Sequence, residues 1–92
     1  MKLKQGDEIR VTWTDAASVS GGWKAVRELR TWKVPEIVSL GYFAFYSIDG
    51  IFYYKSRDMN DDELGTDGEV MLCPSFVPRG CIKKVEVIRR AR

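Results

Sequence analysis

Two tryptophans bracket a polar loop in the run Trp13-Thr14-Asp15-Ala16-Ala17-Ser18-Val19-Ser20-Gly21-Gly22-Trp23. Indoles can stack on a flat ligand while Asp15 or Ser18 bonds its polar edge. The same loop could instead cap its own backbone amides through Asp and Ser side chains, with both indoles packed beneath it. A second group is Tyr42, Tyr46, Tyr53, Lys55 and Arg57. Phenols beside cations can hold nucleotide bases and phosphates, and tyrosine and arginine are also enriched where subunits meet. The third is Pro78-Arg79-Gly80-Cys81-Ile82-Lys83-Lys84. Its glycine permits close backbone approach, and its three cations could grip a phosphate; a plain turn with solvated lysines is the alternative.

Catalytic chemistry is harder to build from this chain. It has no histidine, which removes the commonest general base and the usual partner of a Ser or Cys nucleophile. Cys73 and Cys81 stand eight positions apart without histidine, which is not a zinc pattern; they read as buried small hydrophobes rather than a disulfide. No glycine-rich phosphate loop is present. Asp58, Asp61, Asp62, Glu63 and Asp67 lack the regular alternation and closing glutamate of a calcium loop, so they read as a solvated acidic turn. A non-enzymatic binding protein without cofactor or metal is therefore expected.

The elements that must carry these groups are mostly strands. Residues 8–14 alternate, with Ile9, Val11 and Trp13 on one face. Trp23, Val26 and Leu29 recur every third residue and predict one side of a short helix, which Pro35 limits. Two aromatic, β-branched runs flank Asp49-Gly50, a strong signal for a two-residue hairpin turn. That turn would pair Ile48 with Ile51, Tyr46 with Tyr53 and Phe45 with Tyr54. It would send phenylalanines to the core and tyrosines to a wet or partner-facing side. A bulge at Gly41 would let Val38 and Leu40 reach the core too. Residues 69–77 predict a fourth strand disturbed by Pro74. Residues 81–88 predict a fifth, with Val85 and Val87 on one face and Ile82 and Ile88 on the other.

These elements predict one all-β domain over residues 1–92 with at most one short helix: a small five-stranded SH3-like or Sm-like barrel, with an OB-type barrel as nearest competitor. Ninety-two residues suffice for one modest core. The formal net charge of +2 argues against coating nucleic acid by charge alone. Its distribution is uneven: six acids and no base from Asp58 to Glu69, then six bases and one acid from Arg79 to Arg92. An acidic loop over 58–68 and a basic tail over 89–92 follow from that. No apolar run approaches the ~20 residues of a membrane span, and the polar first residues lack a signal peptide's apolar stretch. A cytoplasmic protein with no membrane partner is expected.

Val11-Thr12-Trp13-Thr14-Asp15-Ala16, Ser18 and Gly22-Trp23, the segment Val38-Ser39-Leu40-Gly41-Tyr42, and the closing Pro78-Arg79-Gly80-Cys81-Ile82 resemble a group of small bacteriophage proteins of no assigned activity. The resemblance implies a phage gene expressed in an infected bacterial cytosol. It also implies an anti-defence role by stoichiometric binding, such as sequestering a nucleotide signal of bacterial immunity. The expected ligand is thus a small anion such as a nucleotide, held by a homo-oligomer. Trp13, Asp15, Ser18 and Trp23 would supply stacking and edge recognition; Tyr42, Arg57, Arg79 and Lys83 would supply phosphate or interface contacts. A nucleic-acid-binding barrel and a protein-interaction or virion-assembly module are the alternatives.

Overall fold

The computed structural model describes residues 2–15, 23 and 25–91. The expectations for Ser18 and for Gly21-Gly22 lie outside those residues. The chain forms β1 (Glu8–Thr14), α1 (Val26–Arg30), β2 (Glu36–Tyr46), β3 (Gly50–Ser56), β4 (Leu72–Pro78), a 3-10 turn (Arg79–Cys81) and β5 (Ile82–Arg89). The strands make one antiparallel sheet in the order β4-β3-β2-β1-β5. The expected mostly-β chain with one short helix is what forms. The two outer strands, β4 and β5, do not pair with each other, so the ladder stays open.

β2 is the longest strand and joins the two halves. Its residues 36–42 pair with β1, and its residues 42–46 pair with β3. The alternation of β1 delivers what it promised. Ile9 and Val11 are fully buried, and Trp13 packs beside them. Phe43, Ile51, Tyr53 and Val77 complete the core from β2, β3 and β4. Against β5 the β1 register slips between Thr12 and Trp13, so that Trp13 faces Ile82 and Thr12 faces Lys84. This bulge at Lys83 brings both Ile82 and Val85 to the core, where strict alternation would have separated them.

The hairpin forms, but its register differs from expectation. Ser47 and Gly50 exchange backbone bonds of 2.9 and 3.3 Å around a two-residue loop, Ile48-Asp49. Phe45 therefore faces Phe52, and Tyr46 faces Ile51. The irregularity falls at Ala44 rather than Gly41, and Val38 and Leu40 stay exposed. Gly50 is placed in the strand by a neighbour. A Cβ there would overlap the Val77 carbonyl oxygen and lie 3.0 Å from the Arg79 amide nitrogen.

The sorting of aromatics is largely the reverse of the sequence reading. Tyr53 and Tyr54 are 4% and 0% exposed, whereas Phe45 and Phe76 are 49% and 41% exposed; buried Phe43 and exposed Tyr46 follow the expectation. Tyr54 is tolerated inside because its hydroxyl finds a carboxylate, described below. Cys73 is exposed, at φ 58°, and Cys81 half-buried, so only Cys81 approximates the buried thiol expected of both.

The predicted helix exists without a packing face. None of α1's residues is buried, and Trp23 beside it is fully exposed. The radius of gyration is 16.8 Å, against about 12 Å for a compact domain of this length. Both sheet edges are blunted. β4 carries Pro74 and Pro78, and β5 carries Lys83, Lys84 and Arg89, devices that discourage strand addition.

Candidate ligand pocket

Antiparallel pairing of β1 with both β2 and β5 brings the two chain termini to the Glu8 end of the sheet. A cavity of about 430 Å3 opens there. The N-terminal segment contributes Lys4 and Gln5, the C-terminal segment Arg89 and Arg90, and the strands Tyr42 and Arg57. Leu64 and Gly65 of the 57–71 segment close one side, and Glu8 is the one acid lining it among the described residues.

Two buried carboxylates build this end. Asp7 is inaccessible to solvent. Its Oδ1 accepts from the Ala91 amide at 2.7 Å, and its Oδ2 accepts from the Lys4 amide and Arg90 Nη1, each at 3.0 Å. It thus ties both termini together and fixes Arg90 at the cavity. Glu69 accepts from Tyr54 Oη at 2.8 Å, Gln5 Nε2 at 3.0 Å and the Gly65 amide at 2.8 Å. Arg57 Nε lies 3.4 Å from its Oε1, with the two side chains 11% and 1% exposed. Arg57 Nη1 also donates to the Gly6 carbonyl at 3.3 Å. Gly6 has φ 92°, and a Cβ there would sit 2.5 Å from Nη1, so the approach needs glycine.

Arg57 is consequently held with its guanidinium 5.6 Å above the centre of the Tyr42 ring, within cation–π range. A guanidinium carries five N–H donors in a fixed fork. The contacts to Glu69 and Gly6 engage only part of that fork, and its side chain lines the cavity. The carboxylates of Asp7 and Glu69 are occupied by their own donors, so they orient cations without offering acceptors to the cavity.

Burial by itself would push both carboxyls up. At Asp7 the amides of Ala91 and Lys4 and the Arg90 guanidinium outweigh it and hold the pKa below the usual value. At Glu69 the Gly65 amide, the Tyr54 hydroxyl, Gln5 and Arg57 do the same. Tyr54 moves up, by burial first and then by its bond to Glu69. A carboxyl that titrates lower when folded stabilises fully above its unfolded pKa of about 4 and loses that contribution as pH falls through its folded pKa. A phenol that titrates higher when folded stabilises fully below about 10 and loses its contribution as pH rises through its folded value. Urea midpoints are therefore expected to be flat through neutral pH and to fall below about pH 4. Glu69→Gln should flatten part of the acid limb; an unaltered limb would mean that Glu69 is not held this way.

Of the groups singled out in the sequence, only Tyr42 and Arg57 meet at this cavity. Trp13 is half-buried, packs on the core and donates from Nε1 to Ser39 Oγ at 3.0 Å. Asp15 is exposed, its amide bound to the Pro35 carbonyl. Lys83 pairs with Glu36 at 2.8 Å on the surface, and exposed Arg79 donates its amide to the Asp49 carbonyl. Trp13 and Asp15 flank the opposite end of β1, roughly 20 Å from Glu8 at the usual rise per residue. Trp13 and Asp15 are thus not in one site with the Tyr42–Arg57 pair within a single chain. Sequence reasoning missed Lys4, Gln5, Asp7, Glu69 and the pocket role of Arg89 and Arg90.

No family model matches the chain, and no curated protein or solved structure matches it.

Proposed function

We propose that the chain is a non-catalytic binding protein that captures a small anionic ligand in the cavity between its termini. The observation that carries this reading is the Arg57 guanidinium, braced by Glu69 and the Gly6 carbonyl over the Tyr42 ring, with donors of its fork left for a ligand. Lys4 and Arg89 add charge at the rim. A phenol ring beside a fork of donors suits a ligand that joins a flat ring to a phosphate. A nucleotide has that composition, which agrees with the signal-sequestering role that the phage resemblance implies. The sheet order, the long shared β2 and the 3-10 turn before β5 support an SH3-like barrel as the parent architecture.

Calorimetric titration against inorganic phosphate, mononucleotides, cyclic dinucleotides and ADP-ribose tests the proposal. Saturable heat is expected with a member carrying both ring and phosphate, with phosphate alone weaker. Arg57→Gln should weaken binding at least about tenfold, in keeping with loss of a charge-assisted pair. Because Arg57 also meets buried Glu69, Arg89→Ala is the companion variant; it should weaken binding without moving the unfolding midpoint. Absence of heat across the panel contradicts the proposal.

A further inference from the structure

Two surfaces of this chain are apolar, uncovered and opposite in charge. The first lies between β1 and β2. Residues 23–34 run as four triplets, Trp23-Lys24-Ala25, Val26-Arg27-Glu28, Leu29-Arg30-Thr31 and Trp32-Lys33-Val34, each opening on an apolar residue followed by a cation. Trp23, Val26, Leu29 and Trp32 are all exposed. Arg27, Arg30 and Lys33 form no ion pair among the described residues. The second is the outer face of β2, β3 and β4, where Phe45, Phe52 and Phe76 stack in a row with ring centres 4.6 Å apart at each step. Two residues along β3 from Phe52, Tyr54 is covered through Glu69 by the 57–71 segment. The same segment carries Asp58, Asp62, Glu63 and Asp67, all exposed and without an ion pair among the described residues.

One chain keeps these surfaces apart. The basic segment enters β2 at Glu36, and Phe45 lies nine residues further on, roughly 30 Å of extended strand. Strand addition is disfavoured at both blunted edges, which leaves face packing as the way to bury this apolar surface. We propose that the two surfaces are complementary halves of one self-association contact. The 23–34 segment of one copy lies on the Phe45–Phe52–Phe76 face of a second copy, with its cations against that copy's acidic 58–67 turn. The contact joins unlike surfaces, so two reciprocal contacts close a twofold dimer and successive ones close a ring.

Sedimentation velocity across a concentration series tests this. The wild-type chain is expected to exceed one chain in mass at low salt and to dissociate as salt screens the exposed charges. R27E/R30E should weaken self-association at least about tenfold through like-charge apposition, and D62K/D67K should do the same from the other side. Each variant then has like charges on both halves, so mixing the two should restore association. Phe76→Ser supplies a separate apolar test, with circular dichroism confirming the fold. A wild-type chain that is monomeric throughout overturns the proposal, as does an oligomer indifferent to both reversals or a mixture that fails to associate. Binding of the monomer to single-stranded DNA or anionic vesicles, abolished by R27E/R30E, would also overturn it by giving the segment another partner.

Discussion

Gly50→Ala is expected to lower folding stability by about 3 kcal/mol, the upper part of the range for forcing an extra carbon into a packed site. The added Cβ would meet the Val77 carbonyl and the Arg79 amide nitrogen. Backbone atoms cannot swing aside as a flexible side chain does. Relief requires moving β4 from β3, which would also strain the bond from the Arg79 amide to the Asp49 carbonyl. Gly80→Ala is the matched control, because a Cβ there meets nothing within 4 Å; it should leave the denaturation midpoint nearly unchanged. Equal midpoints for the two variants would refute the close seating of β4 on Gly50.

Glu69→Ala should cost about 3–5 kcal/mol, the range for removing one partner of a buried ion pair. The loss falls on several groups at once. Arg57 would be left without its carboxylate, and the Tyr54 hydroxyl and the Gln5 and Gly65 donors without their acceptor. Glu69→Gln keeps an acceptor oxygen and should recover part of the loss. The cavity should suffer with the fold, because Gly65 and Leu64 form its wall and Glu69 braces Arg57. Chemical denaturation of the three proteins measures the effect. A small cost for the alanine variant would show that the 57–71 segment is not anchored through this side chain.

How far the sequence discloses this molecule depends on whether a signal is local. β1 was legible because one of its faces is buried and the other is not, so Ile9, Val11 and Trp13 alternate visibly. The hairpin was legible as an element but not in its register. Asp-Gly is a turn signal, yet Gly50 answers to the approach of β4, a strand more than twenty residues away. The same distance explains the inverted aromatics. A tyrosine is amphipathic until its hydroxyl finds a partner, and for Tyr54 that partner is the last acid of a loop fifteen residues on. The local pattern predicts a fourth strand over 69–77, whereas Glu69 is a buried anchor and the strand begins at Leu72.

The site divides in the same way. Tyr42 and Arg57 could be paired from the hairpin alone. Lys4, Arg89 and Arg90 meet them only because β5 pairs with β1, and Asp7 shows no sign in the sequence of accepting an amide 84 residues away. The tryptophan run was conspicuous for its composition, but Trp13 serves the core and Trp23 stands in solvent.

Backbone NMR of the nucleotide titration, followed residue by residue, addresses the binding site directly. Shifts concentrated at Gly6, Tyr42, Arg57, Gly65 and Ala91, and lost in Arg57→Gln, are the expected result. Saturable shifts confined to Trp13, Asp15 and Trp23, with the terminal cavity silent, would place recognition at the far end of β1 and contradict the account.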